Sequence, residues 1–374
     1  MTAPAPATAV ILSANPIHDT GGGQRSAQIA LELLERDHAV LFVSHGKVTE
    51  TVDLGLSFSH PRLVETRIEE VAGRKGWAVL HPFLSHPRAL VLTQIAVSSW
   101  LPVLRQARYL GAVCVYDLID EWESELGYGW YRRGIERRVA ELAHALVATA
   151  PALQQRLQER TRRPVTLLPN AFNGRLFSGA STHLRPHDLP LGPVALYVGA
   201  LWGGWMDWGL VYQVARAFPH ISFVFIGDHR NEGEGLPENC TFLGLKAQYE
   251  LPAYLAHAQV GILPWKDDAV TQATSPLKVY EYLAMGLPVV APALEPLRDV
   301  PGVTGCSDPS GFIAAVAKAV DTGPAAATPG EMASFAEEQS WTRRVDTLLE
   351  LAHRARKEVL PLGLLARLRG RLGI

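Results

Sequence analysis

The clearest chemical pattern in the sequence is a short helix start that carries a lysine and a glutamate. Pro276 suits the first helical turn, Ser275 is predicted to cap it, and Gly286 suits a left-handed terminator before a strand. The unpaired N–H groups of such a start and the Lys278 ammonium would attract a phosphate. Glu281 lies one turn further on and can accept hydrogen bonds from two sugar hydroxyls. The alternative is a plain surface pair between Lys278 and Glu281.

A glycine loop is the second pattern. Gly21-Gly22-Gly23 follow a predicted strand and precede a helix predicted from Gln24, so the backbone could approach a ligand closely. A flexible turn is the alternative. The spacings GxGxxG and GxxxxGK[ST] are absent from this loop, which disfavours NAD and P-loop nucleotide binding. His18 in the loop and His229 after a later strand suit hydroxyl contacts, or else are structural.

An acidic strand end marks a third region. Asp117 and Asp120 close a predicted strand, where an acceptor-facing acid of a parallel sheet would lie. Asp120 is the preferred residue and Asp117 the second, with a helix cap as the alternative. No catalytic base is assigned.

Aromatic and acidic residues of the second half complete the chemical inventory. Trp202, close to two further tryptophans, could pack the apolar face of a sugar or simply belong to the core. Asp207 is predicted to cap the next helix. The sequence contains no DxD motif, and the adjacent pair Asp267-Asp268 is expected to be solvated. We therefore expect no metal cofactor.

The elements that position these residues alternate between strands and helices, which predicts an α/β fold of two doubly wound parallel sheets with a ligand cleft between them. Glu50–His86 gives no clear pattern. A segment rich in Ser, Pro, Gly and His, 179–193, is predicted to link domains 1–178 and 194–345. The strands are predicted at Ala9–Asn15, Ala39–Ser44, Gly111–Tyr116, Ala145–Ala150, Val165–Leu168, Val194–Val198, Ile221–Ile226, Thr241–Leu243, Val260–Pro264 and Pro288–Ala291. The helices are predicted around Ala27–Leu34, Trp208–Phe218, Leu251–His257 and Pro276–Met285.

Composition bounds the class of protein. The chain has 374 residues, 48% of them hydrophobic, and a formal charge of −2, which excludes a disordered polyelectrolyte or a globally basic nucleic-acid binder. Its three cysteines show no metal or redox spacing and are expected to be buried free thiols in a cytoplasmic protein. Neither a secretory signal nor a membrane span is predicted. The basic end, 346–374, is predicted to hold a closing helix and an amphipathic tail suited to an anionic membrane surface, or else to pack back on the first domain.

Together these segments resemble the nucleotide-sugar glycosyltransferases of the GT-B fold, of the family 4 type and its bacterial cell-surface-polysaccharide subgroup. The resemblance runs from about Val10 to Leu349. It rests on Ser275–Val290, on Gly21–Arg36 and on several shorter segments. These are Ala143–Ala150, Leu168–Asn170, Tyr197–Leu201, Phe225–Gly227, Phe242–Gly244 and Leu251–Leu255.

The resemblance implies roles for individual residues. The donor would lie mainly on the C-terminal domain, with Glu281 on the ribose hydroxyls, and the acceptor would approach from the N-terminal domain. The remaining donor-side residues are Gly22, Gly23, Gly199, Gly244, Lys246, Ser275, Pro276, Leu277 and Lys278. The turn Gly244–Lys246 would lie against the base, and Lys278 would supply charge for the leaving diphosphate.

Two departures from the family pattern accompany these matches. Many members have a second glutamate eight positions before the ribose-binding one, where this chain has Ala273. Many also have an Arg and a Lys after the first C-domain strand, where Ala200 and the tryptophans from Trp202 stand. The resemblance implies a retaining transferase that moves a sugar from a nucleoside-diphosphate donor to a lipid-linked or polysaccharide hydroxyl. A nucleotide-sugar epimerase of the same fold and an inactive sugar-nucleotide-binding partner protein are the alternatives.

Overall fold

A computed structural model describes residues 7–52, 54, 56–71, 73–179, 181–322 and 328–358. The described residues form two compact units. The first unit comprises the described parts of Met1–Thr49, Ser57–Pro169 and Thr342–Ile374, and the second those of Glu50–Leu56 and Asn170–Trp341.

The first unit is built on a parallel sheet with the order β3-β2-β1-β4-β5-β6-β7. Its strands are β1 (Thr8–Ser13), β2 (Ala39–Ser44), β3 (Leu63–Arg67), β4 (Leu90–Thr93), β5 (Val113–Leu118), β6 (Ala145–Ala148) and β7 (Thr166–Leu167). Its helices are α1 (Arg25–Glu35), α2 (Ile68–Val71), α3 (Gly73–Leu84), α4 (Trp100–Leu110), α5 (Arg133–Leu142) and α6 (Pro151–Thr161). Two 3₁₀ turns, Asp19–Gly22 and Glu125–Gly127, lie in its loops.

The second unit has a parallel sheet with the corresponding order β10-β9-β8-β11-β12-β13. Its strands are β8 (Val194–Val198), β9 (Ser222–Ile226), β10 (Cys240–Gly244), β11 (Val260–Ile262), β12 (Val289–Pro292) and β13 (Val303–Cys306). Its helices are α7 (Trp208–Ala217), α8 (Leu251–Leu255), α9 (Ala269–Gln272), α10 (Leu277–Ala284), α11 (Pro309–Thr322) and α12 (Pro329–Glu338), with 3₁₀ turns at Gln248–Glu250 and Glu295–Leu297. Helix α13 (Trp341–Glu358) starts in this unit and continues into the first.

The predicted fold class is confirmed: each sheet is parallel and follows the doubly wound order, with helices between its strands. The central strands are continuous apolar runs because both faces of a parallel sheet are covered. Every residue of β8, for example, is buried. The three strands that the sequence did not predict are β3, β4 and β13.

The boundaries of the units differ from the predicted domains. The first unit ends at Pro169, and the second already begins at Asn170. The predicted linker carries Leu189, which is buried in the core of the second unit together with Phe172 and Phe177. Leu189 attaches the segment to that core, so the segment is part of the second unit.

The cysteines and the chain end complete the comparison. All three thiols are free, but only Cys114 is buried, while Cys240 and Cys306 are partly exposed because they lie on the edge strands β10 and β13. The closing helix is present as α13. The predicted amphipathic tail beyond it lies outside the described residues, which end at 358. Among the described residues, no helix is both long and apolar enough to cross a membrane.

Candidate functional site

Helix α10 and the residues ahead of it form the centre of the candidate site in the second unit. The helix begins at Leu277 after the N-cap Pro276, so the prediction that Ser275 caps it is wrong. Ser275 instead accepts a hydrogen bond at Oγ from the Asn170 backbone N–H (3.0 Å), and its carbonyl accepts one from Asn170 Nδ2 (2.7 Å). The helix ends as predicted, with Gly286 at a φ of 74°. Asn170 therefore fixes the chain that leads into α10.

Lys278 lies in the first turn of α10 against two aromatic faces. Its Nζ is 4.6 Å from the ring centroid of Trp265 and 5.2 Å from that of Tyr197. No ion pair or hydrogen bond to its ammonium is formed within the described residues. Burial lowers the pKa of Lys278 to about 8, and Glu281 partly offsets this shift. The cation is therefore desolvated and suited to an anionic ligand.

Glu281 is buried one turn further along α10, with 3% of its surface exposed. Gln248 Nε2 donates a hydrogen bond to its Oε1 (3.1 Å). Burial raises the pKa of Glu281 to about 7, and the Gln248 bond and the Lys278 charge oppose the rise. The predicted surface pair is thus wrong as an alternative, because Glu281 is buried and, within the described residues, the two side chains form no ion pair. A carboxylate with remaining acceptor capacity suits a ligand that brings hydroxyl donors.

Three glycines lie at the carboxyl ends of β8, β9 and β10, at the same edge of the sheet. Gly199 has a φ of 143°, and a Cβ there would come within 2.6 Å of Lys278 Cε. Gly227 has a φ of 152°, and a Cβ there would lie 1.9 Å from the Gly199 carbonyl oxygen. Gly244 has a φ of 71° and faces open space. The predicted residue Gly199 therefore makes room for the predicted residue Lys278.

Other predicted residues of this unit have partners of their own. Lys246 Nζ contacts Asp188 Oδ2 at 2.8 Å, and Asp188 also accepts a hydrogen bond from the Tyr254 hydroxyl. The His229 ring stacks on Phe242 with centroids 4.8 Å apart. Lys246 and His229 therefore each have a contact within the protein, and a ligand would have to compete with it.

Trp202 lies in the loop after β8 beneath a cation. The guanidinium carbon of Arg230 is 3.9 Å from its ring centroid, and the Trp205 ring lies 5.7 Å away. Trp208, by contrast, packs on Phe225. Asp207 caps α7 as predicted by accepting a hydrogen bond from the Leu210 N–H. All three tryptophans are therefore partly buried, and Trp205 and Trp208 pack against the core of the second unit.

In the first unit, the glycine loop is packed rather than open. Gly22 has a φ of 83°, and a Cβ there would come 2.8 Å from Phe58 Cζ. Helix α1 begins at Arg25, with Gln24 as its N-cap. Gly23 has an ordinary helical φ of −78°. The close approach that the glycines were predicted to allow is thus made at Gly22 by an aromatic ring of the protein itself.

Asp117 lies inside β5 rather than after it and is wholly buried. Arg25 donates two hydrogen bonds to its carboxylate, from Nε at 2.7 Å and from Nη2 at 3.0 Å. Gln94 Nε2 donates a third at 3.1 Å. The predicted acceptor contact of Asp117 is therefore replaced by an internal ion pair.

Asp120 follows β5 and is only partly buried. No helix starts directly after it, since the next helical turn begins at Glu125 with Ser124 as its cap, so the helix-cap alternative is wrong. Burial raises the pKa of Asp120 to about 7. Asp120 is thus the acid of this sheet edge whose protonation changes near neutral pH.

His18, the other predicted contact residue of this unit, lies close to a carboxylate. Its Nδ1 is 3.9 Å from Glu65 Oε1.

Of the adjacent acids, Asp267 is exposed, as predicted, whereas Asp268 is partly buried and has a structural role. Asp268 caps α9 by accepting hydrogen bonds from the N–H groups of Val270 and Thr271. Asp267 accepts one from Gln272 Nε2 at 2.7 Å. Within the described ranges, no group of three or more His, Cys, Asp or Glu side chains could hold a metal ion.

Sequence reasoning missed the residues that surround Lys278 and Glu281. Gln248, Tyr197 and Trp265 come from three other segments and meet α10 only in the folded sheet. Trp265 Nε1 also donates a hydrogen bond to the Tyr197 hydroxyl (3.2 Å), which orients both rings. Their shared signal is position near the carboxyl end of a strand, since Tyr197 lies in the last two residues of β8 and Gln248 and Trp265 follow β10 and β11.

Two Rossmann-type parallel sheets in sequence are typical of the GT-B fold. The structure is similar to sucrose-phosphate synthase from Thermosynechococcus elongatus, with a TM-score of 0.65 and 16% identity over 93% of this chain and 98% of that one. It is also similar to HepE of Anabaena in complex with UDP-glucose, with a TM-score of 0.65 and 14% identity over 92% and 99% of the two chains. These similarities show the fold.

Residues 192–322 match the family model described as glycosyl transferases group 1. A Bacillus subtilis (strain 168) protein, named as a teichuronic acid biosynthesis glycosyltransferase, is 25% identical over 197 residues. The match covers 47% of this chain and 49% of that protein, so the chain spans about half the length of the curated relative. The solved structures thus show the GT-B fold that the resemblance predicted, and the segment similar to group 1 glycosyl transferases lies in the second unit.

Proposed function

We propose that this protein transfers a sugar from a nucleoside-diphosphate sugar to the hydroxyl of a lipid-linked or polysaccharide intermediate. The observation that carries the proposal is the desolvated Lys278 without an ion-pair partner within the described residues, one turn from the buried Glu281. HepE, which has a similar fold, is known in complex with UDP-glucose. The Bacillus relative is named for the biosynthesis of a cell-surface polysaccharide, which supports an acceptor of that kind.

In this proposal Glu281 accepts hydrogen bonds from the ribose hydroxyls. Its remaining acceptor capacity and its fixed position beside Gln248 suit two hydroxyl donors. The diphosphate lies at the start of α10, near Ser275, Pro276 and Leu277, where the backbone N–H groups of Ser275 and Leu277 have no intrahelical partners. Each contact uses a group that burial makes costly to leave without a ligand.

The chemical step breaks the bond between the anomeric carbon and the diphosphate oxygen, forms a bond from that carbon to the acceptor oxygen, and passes the acceptor hydroxyl proton to the departing diphosphate. The leaving diphosphate gains negative charge, which Lys278 and the start of α10 would stabilise. Asp120, with its pKa near 7, is the residue we propose to contact the acceptor hydroxyl. We further propose a retaining outcome and a metal-independent reaction, since Lys278 supplies the charge that a metal would otherwise provide.

The location follows from the proposed substrates. A nucleotide-sugar donor is a cytoplasmic metabolite, so we propose a cytoplasmic protein that works at the inner face of the membrane when its acceptor is lipid-linked. The chain belongs, in this proposal, to the family 4 type and its cell-surface-polysaccharide subgroup.

The first test is a thermal-shift panel of UDP-glucose and other nucleotide sugars and diphosphates, with magnesium or with EDTA. A ligand bound only by the folded state raises the melting temperature. We expect a shift for one nucleobase that persists in EDTA, is lost in Lys278→Met and is kept in the control Lys318→Met, an exposed helix lysine of the same unit. No shift with any nucleotide would refute the donor site.

The rival functions differ in their products. A transferase releases free nucleoside diphosphate together with a new glycoside, which chromatography of the reaction mixture detects. Interconversion of two intact nucleotide sugars would instead establish an epimerase. Binding without either product across a broad acceptor panel would favour the inactive partner protein, which Ala273 in place of a second glutamate makes the relevant rival.

A further inference from the structure

A cavity of about 1550 Å³ lies in the first unit at the amino-terminal edge of its sheet. It is lined by Thr8 at the start of β1, Leu90 at the start of β4 and His38 directly before β2, and one side is formed by α13. Because the strands are parallel, Asp120 lies at the opposite edge of this sheet. The cavity is therefore separate from the acidic strand end described above.

The lining of the cavity is strongly basic. Six arginines face three carboxylates, a formal charge of +3, although the whole chain has a charge of −2. The arginines are Arg36, Arg88, Arg343, Arg344, Arg354 and Arg356, and the acids are Asp37, Asp346 and Glu350. Arginine is the side chain best suited to phosphate because its planar fork donates two parallel hydrogen bonds. The local excess of positive charge thus favours a phosphate-bearing ligand.

The acids of the lining do not neutralise this charge fully. Asp346 pairs with Arg36 at 2.7 Å, and Glu350 pairs with Arg354 at 3.5 Å on the exposed face of α13. Arg356 donates to backbone carbonyls, among them that of Ala89 at 2.9 Å. Burial and the nearby charge of Arg88 lower the pKa of Arg356. Hydrogen bonds to carbonyls hold this guanidinium in place and leave its charge available to an anion.

His38 provides a second observation at the same place. It is 5% exposed and lines the cavity. Its Nδ1 lies 3.0 Å from the Arg36 carbonyl oxygen, whereas its buried Nε2 has no hydrogen-bond partner among the described residues. Burial, with smaller contributions from Arg88, Arg36 and His86, lowers its pKa. Because Nδ1 must donate to the carbonyl, Nε2 is a buried acceptor, and a water held between it and a ligand in the cavity would satisfy it.

We propose that this cavity is a binding site for a phosphate-bearing molecule, with the arginines of α13 and the Arg88 segment as its cationic walls and His38 as a polar group at its base. Its volume exceeds that of a phosphate ion and is ample for a larger phosphate compound. The phosphate can come from a soluble compound or from the head group of an anionic phospholipid. The chain beyond α13, 359–374, carries Arg367, Arg369 and Arg371 among leucines, which fits the second source.

The first arm of the test is calorimetric titration with inorganic pyrophosphate. The full chain carries Lys278→Met throughout, so that any uptake by the proposed donor site does not add to the signal. We expect Arg343→Gln/Arg354→Gln to weaken pyrophosphate binding at least tenfold. The control is Arg137→Gln/Arg138→Gln, two exposed arginines of α5, of which Arg137 forms an exposed pair with Glu141 like that of Arg354 with Glu350.

The second arm is co-sedimentation of the full chain with phosphatidylglycerol vesicles and, as a reference, with phosphatidylcholine vesicles. Binding to the anionic vesicles alone, reduced in the α13 variant and kept in the α5 control, would assign the site to a lipid head group. Binding of pyrophosphate with the same dependence would assign it to a soluble phosphate compound.

The ring signals of His38 provide a local readout, assigned by comparison with a His38→Gln protein. They should shift on addition of the ligand that binds, because the imidazole lines the cavity. The proposal is overturned if neither pyrophosphate nor anionic vesicles bind, or if the α13 variant binds as the α5 control does. Neither outcome depends on the donor site, so failure here leaves the proposed function standing.

Discussion

Charged side chains are removed from solvent near the strand ends of both sheets, but the protein supplies them with different numbers of hydrogen bonds and ion pairs. In the first unit, the Asp117 carboxylate receives hydrogen bonds from Arg25 and Gln94. In the second unit, Lys278 lies over two rings without an ion pair in the described chain, and the one hydrogen bond recorded for the Glu281 carboxylate comes from Gln248. Burial is therefore common to structural and candidate functional charges. What separates them is how much of their bonding capacity the protein itself satisfies.

The largest expected effect comes from breaking the ion pair between Arg25 and Asp117. Arg25→Met leaves the Asp117 carboxylate buried without its counter-charge, so we expect a loss of about 3–5 kcal/mol in the free energy of unfolding. Urea unfolding measures it, with Arg137→Met as the exposed control, for which the loss should stay below about 1 kcal/mol. A loss that small for Arg25→Met would show that the pair is not the structural one we describe.

Replacing Lys278 should have the reverse effect, because it should reduce ligand affinity and leave stability unchanged. Lys278→Met removes a desolvated cation that no carboxylate balances directly, so stability should not fall. The affinity for the bound nucleotide sugar should fall by 10- to 100-fold, about 1.5–3 kcal/mol for a contact to a charged group. Calorimetry and urea unfolding on the same protein test both statements. If Lys278→Met loses stability but keeps its affinity, Lys278 is a structural charge and not a ligand-binding one.

Gly199→Ala should give a smaller change through the same lysine. The new Cβ would lie 2.6 Å from Lys278 Cε, and the φ of 143° disfavours any side chain. We expect the affinity for the nucleotide sugar to fall about fivefold to tenfold, roughly 1–1.4 kcal/mol. If Gly199→Ala weakens binding as strongly in Lys278→Met as in the parent protein, the effect does not act through Lys278.

The smallest predicted effect is a pH dependence of a few-fold. Hydroxyl donors bind the ionised Glu281, which forms above a pKa of about 7, and a diphosphate binds the protonated Lys278, which persists below about 8. The affinity for UDP-glucose should therefore peak between pH 7 and 8 and decline by a few-fold on either side. Calorimetry across pH 5.5–9.5 measures this profile.

Two variants sharpen that profile. Glu281→Gln should remove the decline on the acidic side, and Lys278→Met the decline on the alkaline side. In the absence of ligand, the raised pKa of Glu281 means that the folded state binds more protons than the unfolded state between about pH 4.5 and 7, so stability falls as pH rises through that range. Glu281→Gln should flatten this part of the curve of unfolding free energy against pH.

The sequence predicted the central strands and the two charges of α10 because both signals are local. The strands are apolar runs such as β8, and the spacing of Lys278 and Glu281 is fixed by a helix whose ends are marked by Pro276 and Gly286. Strand β3 was not predicted because its edge position leaves Val64 and Glu65 exposed, which removes the apolar run. Strand β4 is a run of only four residues.

The partners of the charged groups could not be predicted because they depend on tertiary contacts. Arg25 and Asp117 are separated by 92 residues, and Gln248 and Glu281 by 33. Asp117 was placed after its strand because the predicted strand ended at Tyr116. The observed β5 continues to Leu118, and this two-residue difference moves Asp117 from a loop into the interior.

The two stacked glycines after β8 and β9 have a consequence for the diversification of this chain. A methyl group at position 227 would collide with the Gly199 carbonyl oxygen, and one at position 199 with Lys278. Most variants in a library that randomises these two positions would therefore be inactive. Gly244 faces open space, so an asparagine, which tolerates a φ of 71°, should be accepted there. Variation that alters ligand preference should therefore accumulate on the Gly244 side of this sheet edge, while positions 199 and 227 remain unchanged.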